Sequence, residues 1–162
     1  MSGSSFSLVT RSVEETAELA AKLSSQVKGG MLIGLSGPLG AGKTEFVRWF
    51  AKGLGVEESI SSASYVLELI YPLSEGAASS VAGIKFLHHW DLYRLGDDFE
   101  ANEVLHLQGD SSVITIVEWP EKVSEVEEAL DLRLRLDYLG FADEEVGSRE
   151  IEIWSDSVVV SL

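Results

Sequence analysis

Eight consecutive residues, Gly37-Pro38-Leu39-Gly40-Ala41-Gly42-Lys43-Thr44, carry the most specific chemistry in the chain. The pattern Gly-x4-Gly-Lys-Thr places glycines where successive backbone N–H groups can turn toward one anion, in conformations closed to other residues. Lys43 adds a compact cation able to reach terminal phosphates, and the Thr44 hydroxyl is a hard oxygen donor for Mg²⁺. Gly37, Leu39, Gly40, Ala41, Gly42, Lys43 and Thr44 are therefore the expected nucleotide-binding residues. Four fixed residue types at fixed spacing arise by accident in about one chain of this length in two hundred.

Two acids stand where they could work beside such a cradle. Glu118 ends the apolar run Val113-Ile114-Thr115-Ile116-Val117, which is how a metal-side carboxylate is delivered to the carboxyl edge of a parallel sheet. Asp91 ends another strand-like run, Ile84 to Trp90. Either acid alone could also be a helix cap or a solvated strand end. Lys43, Asp91 and Glu118 are the candidate catalytic residues, with Thr44 as a metal ligand and either acid able to work on the metal or on the attacking water. His88 and His89 are adjacent, so on a strand they face opposite sides and cannot chelate one ion together. A packing or hydrogen-bonding role is expected for them. Trp90 and Trp119 are open to two readings, core packing or a partner surface. Guanine recognition of the Asn-Lys-x-Asp kind is absent, since the sole asparagine, Asn102, is followed by Glu103. ATP is expected over GTP, with the first helix and Arg133 or Arg135 as candidates for the base contacts.

The surrounding pattern supplies the elements that must hold these groups. Met31 to Leu35 is a short, wholly apolar run, as expected of a strand buried on both faces, and it feeds directly into the loop. Phe46, Val47, Phe50 and Leu54 continue at helical spacing to a stop at Gly53 or Gly55. Upstream, Ser12 and Glu15 have capping-box spacing, and Val13, Ala17, Ala20, Leu23 and Val27 mark a first helix closed by Gly29 and Gly30. Tyr65 to Tyr71 reads as a strand, Pro72 to Gly83 as a loop, Phe99 to Leu107 as a short helix, and Pro120 opens a helical turn through Val126. From Leu130 the period becomes two, with leucines alternating with Asp131, Arg133, Arg135 and Asp137. Phe141 to Ser148 turns the chain, and Ile151 and Ile153 continue the alternation on a return strand. The expected fold is α/β: a P-loop NTPase-type three-layer sandwich around a mixed, largely parallel sheet, with an antiparallel C-terminal extension. Residues 1–162 are expected to form one domain.

Composition narrows the class. The chain has 162 residues, 45% of them hydrophobic, with no cysteine, which excludes disulfides, thiolate zinc sites and cysteine nucleophiles. No apolar run approaches the ~20 residues of a membrane span, and Met1 to Ser7 lacks the pattern of a secretory signal, so a cytoplasmic location is expected. A net charge of −15, from 27 acidic against 12 basic residues, opposes direct binding of nucleic acid, and the six lysines and six arginines form no run.

Three pieces in order then narrow it further: Leu39 to Thr44, His89-Trp90-Asp91-Leu92-Tyr93-Arg94-Leu95, and Val117-Glu118-Trp119-Pro120-Glu121. Together they resemble the TsaE family, P-loop ATPases of bacterial tRNA threonylcarbamoyladenosine biosynthesis. The likeness covers about the middle half of the chain, and the two later pieces are more specific than the P-loop itself. The resemblance implies an ATP- and Mg²⁺-dependent ATPase acting on a heterodimer of two related proteins, one of which transfers threonylcarbamoyl to the adenosine beside the anticodon. The tRNA would be held by those partners, in keeping with the acidic charge. It also implies metal ligands at Thr44 and Glu118, an essential aspartate at Asp91 and, at Ser64, a switch-like hydroxyl that is a third metal ligand. Ser62-Ala63-Ser64-Tyr65 departs from the family's Ser-Pro-Thr-Phe, keeping the hydroxyl while losing the proline.

Two other functions fit the same scaffold. A small-molecule kinase needs an acceptor pocket and usually clustered lid arginines, which this sequence lacks. A nucleotide-dependent assembly factor would hydrolyse ATP only incidentally. For any of them slow turnover by the lone chain is expected, because an arginine finger is worth roughly 10³ to 10⁵ in rate where one is supplied.

Overall fold

The computed structural model describes residues 4–63, 67–74, 83–96, 98–139 and 148–155. Ser64, the start of the strand expected from Tyr65, most of the 72–83 loop and most of the 141–148 turn lie outside the described residues.

The organising element is a seven-stranded sheet in the order β1-β7-β6-β2-β5-β4-β3. Its strands are β1 (Ser4–Thr10), β2 (Leu32–Ser36), β3 (Glu68–Pro72), β4 (Phe86–Asp91), β5 (Val113–Glu118), β6 (Leu132–Tyr138) and β7 (Arg149–Ser155). At the centre β6, β2, β5 and β4 all run parallel, while β3 on one side and β7 on the other run antiparallel to them, and β1 pairs antiparallel with β7. Burial follows this arrangement. The central β2 and β5 are apolar along nearly their whole length, whereas β6 alternates buried leucines with less buried Arg133, Arg135 and Asp137. The C-terminal hairpin is antiparallel within itself, as the alternation predicts, and its first strand also completes the parallel core by pairing with β2.

Helices α1 (Val13–Ser24) and α2 (Lys43–Leu54) cover one face. Ser12 caps α1 by accepting from the Glu15 N–H at 3.1 Å. The Glu15 carboxylate reaches back to the Arg11 N–H at 2.7 Å, one residue beyond the usual reciprocal bond. Gly55, at φ 97°, closes α2. Leu19, Leu23, Phe46, Val47, Phe50 and Leu54 interlock over Ile33, Leu35, Ile114, Leu134 and Ile151 in the larger core cluster. Truncating Phe46 or Phe50 there would cost about 3–5 kcal/mol.

The opposite face carries a smaller cluster built on α3 (Asn102–Leu105), a 3-10 turn at Pro120–Lys122 and α4 (Ser124–Glu128). Val104, Val126 and Leu130 pack there on Leu32, Trp90 and Val117, giving the third layer. Gly34 makes the fit possible, because a Cβ at that position would stand 2.4 Å from Leu130 Cδ1 and 3.0 Å from Pro120 Cγ. Trp90 is thus a core residue. No described helix is long and apolar enough to cross a membrane.

The N-terminal strand is a difference from the sequence reading, in which residues 1–7 have no element. Phe6 and Leu8 pack on the larger core while β1 pairs with β7 from Ser4–Ser155 to Thr10–Arg149. The serines around them mask an ordinary period-two edge strand.

Candidate nucleotide site

The site forms where three parallel strands end together. β2 runs into the loop 37–42, whose glycines at positions 37, 40 and 42 all have positive φ, at 126°, 78° and 99°. α2 starts at Lys43, so the first turn of a twelve-residue helix faces the loop. β5 and β4 deliver Glu118 and Asp91 as register partners, side by side at the same sheet edge. Both carboxylates are only 2% exposed. A cleft of about 250 Å³ opens among Leu39, Gly40, Gly42, Lys43, Thr44, Glu45, Asp91, Tyr93, Glu118 and Trp119.

The reactive side chains already touch one another. Thr44 Oγ1 donates to Glu118, at 2.9 Å from Oε1 and 3.2 Å from Oε2. Two hard oxygen donors at one spot, beside a phosphate loop, suit Mg²⁺, which keeps several waters and takes few protein ligands. The Glu118 Oε1 atom also lies 2.8 Å from His89 Nε2, with His89 fully buried. His89 Nδ1 is buried with no partner among the described residues. The ring is therefore assigned its proton on Nε2, donating to the carboxylate. Asp91 Oδ1 accepts the Tyr93 N–H at 3.0 Å.

Lys43 is folded back on its own loop, its Nζ donating to Gly37 O at 2.8 Å and Pro38 O at 2.9 Å. The ammonium lies 3.9 Å from the centre of the Trp119 ring, which in turn meets Tyr93 at 4.9 Å. Burial holds this ammonium below the ordinary lysine value, while Glu118, Glu121 and Asp91 act in the opposite direction. Trp119 sits in the left-handed region, at φ 60° and ψ 45°, an uncommon conformation for a bulky residue. That turn aims the indole across the cleft immediately after Glu118.

The expected residues mostly converge. Leu39, Gly40, Gly42, Lys43, Thr44, Asp91 and Glu118 line the cleft, whereas Ala41 is buried behind it and Gly37 serves through its carbonyl. His88 turns away from the site to Glu68, 2.6 Å distant. Arg133 and Arg135 line neither of the clefts described beside the loop. They line a separate cleft of about 430 Å³ with Gly34, Trp154 and Leu130. The physical reason is the pleat, which points them to the face opposite α1 and α2. The first helix does border the loop: Val13 and Thr16 share a second cleft of about 210 Å³ with Ala41, Gly42, Glu45, Trp49, Leu136 and Arg149.

A glycine-rich loop between a central parallel strand and a helix, with an acid on the neighbouring strand end, defines the P-loop NTPase fold. Comparison with a crystal structure of Bacillus subtilis YdiB supports it, with a TM-score of 0.64 and 26% identity over 96% of this chain and 88% of that one. Residues 10–149 match the family described as threonylcarbamoyl adenosine biosynthesis protein TsaE, and the chain belongs to that family. Relatives named tRNA threonylcarbamoyladenosine biosynthesis protein TsaE include those of Streptomyces coelicolor and Treponema pallidum. The first is 38% identical over 74% of this chain and 75% of its own length. The second is 33% identical over 90% and 97%.

Proposed function

We propose that this chain is the ATP-binding and ATP-hydrolysing subunit of a cytoplasmic tRNA-modifying system. It acts on a partner transferase complex that installs threonylcarbamoyl on the adenosine beside the anticodon, and does not perform that transfer itself. The observation that carries the reading is the contact of Thr44 with Glu118 directly beside Lys43 and the loop glycines. The names of the family relatives supply the pathway.

In this reading the loop amides and the start of α2 bind the β- and γ-phosphates, and Lys43 leaves the Gly37 and Pro38 carbonyls to meet them. Thr44 and Glu118 are the residues that would hold Mg²⁺, which when bound neutralises charge developing on the phosphates. His89 keeps Glu118 turned toward Thr44. Asp91, on the adjacent strand end, is assigned to orient the water that attacks the γ-phosphorus, giving ADP and phosphate. Trp119 and Tyr93 wall the cleft against bulk solvent. An arginine finger is worth roughly 10³ to 10⁵ in rate where one is supplied, and the partner complex is assigned that acceleration of the slow lone chain. The whole chain acts as one domain, and tRNA reaches it only through the partners.

The test is calorimetry with MgATP on the wild type and on Lys43→Ala, paired with phosphate release by Glu118→Gln. Affinity should fall at least a hundredfold in the first variant. Hydrolysis should fall about 10²- to 10³-fold in the second, with tRNA modification lost in a reconstituted partner system. Unchanged affinity in Lys43→Ala removes the cradle assignment. A phosphorylated metabolite in place of free phosphate would identify a kinase. Modification that survives loss of hydrolysis would identify an assembly factor.

A further inference from the structure

The outer side of the phosphate loop is held by two residues remote in sequence. Tyr138 Oη donates to Leu39 O at 3.1 Å, and Arg149 Nε donates to Ala41 O at 2.8 Å. The two are register partners across the β6–β7 pair, and the guanidinium lies 4.9 Å from the centre of the Tyr138 ring. Arg149 is fixed further by its Nη1–H bond to Ser148 O at 2.9 Å. The hairpin stands on the β6 side of β2, while Asp91 and Glu118 stand on the β5 side, so the loop is gripped from behind its cleft.

The choice of carbonyls matters. In a trans peptide the carbonyl and the N–H of the same unit point in opposite directions, and the described chain has no cis bond. Turning Leu39 C=O outward to Tyr138 therefore turns Gly40 N–H inward. Turning Ala41 C=O outward to Arg149 does the same for Gly42 N–H. Gly40 and Gly42 are two of the three loop glycines with positive φ, and both line the cleft. Position 40 is built around this contact, because a Cβ there would lie 2.5 Å from Tyr138 Oη.

The geometry points to Tyr138 and Arg149 as positioning residues that aim the Gly40 and Gly42 amides at the phosphates before any nucleotide arrives. They touch no reacting atom and act through the loop alone. This rests on the reading of the cleft as a phosphate site, which the test keeps separate.

Because the residues act on phosphate amides, their loss should weaken any polyphosphate, with or without a base. Tyr138→Phe deletes one hydroxyl from a half-exposed ring, and Arg149→Met removes the donor while keeping an unbranched stem; Arg149→Lys restores a donor. Calorimetry should use both MgATP and magnesium tripolyphosphate. Affinity for both ligands should fall by the same factor, about three- to tenfold for Tyr138→Phe and about tenfold or more for Arg149→Met, with Arg149→Lys in between. Steady-state kinetics should show the loss in KM with kcat little changed. Thermal melts of the ligand-free variants report folding independently. If ATP binding falls while tripolyphosphate binding holds, Arg149 serves the base in the neighbouring 210 Å³ cleft, and the inference is overturned. Wild-type affinity for both ligands in folded variants also overturns it, leaving the nucleotide reading intact. A wild-type chain that binds neither ligand removes both.

Discussion

At the scale of single residues, the site depends on how each carboxylate oxygen is shared. Glu118 Oε1 receives the Thr44 hydroxyl and the His89 ring together, in a setting with almost no solvent. A carboxylate held this way cannot swing, and if it holds Mg²⁺ as proposed, outer partners of this kind are worth 10- to 100-fold in metal affinity. His89→Ala should therefore raise the Mg²⁺ concentration needed for ATP binding by that factor. Nucleotide affinity measured in EDTA should stay near wild type. Equal losses with and without Mg²⁺ would mean that the substitution merely damages the core. That His88 and His89 point to different partners was legible from their place on a strand, because neighbouring residues there must part company. That the partner of His89 is Glu118 was not, since the pairing depends on the β4–β5 register.

At the scale of elements, the central strands carry most of the positional information. β2 and β5 could be read from the sequence because burial on both faces demands uninterrupted apolar runs ending in the chemistry. β1 could not, because Ser5, Ser7 and Val9 face outward and dilute the pattern of Phe6 and Leu8. The grip of the hairpin on the loop was equally hidden. Tyr138 and Arg149 lie 99 and 108 residues from the carbonyls they hold, and no local periodicity encodes such a pair. Gly34 tests the layer beneath the site. Gly34→Ala drives a methyl into Leu130 and Pro120, two residues beyond Glu118. It should destabilise the protein by about 1–3 kcal/mol, or roughly 2–4 °C of melting temperature per kcal/mol, readable by calorimetric scanning. A melting point equal to wild type would show that the third layer yields freely.

At the scale of the whole molecule, charge sets the terms of approach. A chain of net charge −15 repels a polyphosphate over distances set by the Debye length, about 10 Å at 0.1 M salt. The attraction of Lys43 is short-ranged and largely shielded from solvent. Raising KCl from about 20 to about 200 mM should therefore speed MgATP association in stopped-flow measurements. A rate that falls with salt would mean that the local field at the cleft is cationic after all. The same acidity, read from composition alone, sets the expectation that nucleic acid is not gripped by this surface. The two arginines of β6 show the limit of that approach, for composition says nothing about which face of a sheet a charge will occupy.

The strand order has one more consequence, for a chain being made on the ribosome. β2 emerges early, yet its two neighbours, β5 and β6, are both translated long after it. The strand that carries the phosphate loop must wait with both edges bare, and its grip from Arg149 comes later still. Such long-range closure slows folding and leaves apolar edges open to wrong pairings. Newborn chains are thus at their most vulnerable in the very segment that their mature chemistry needs most.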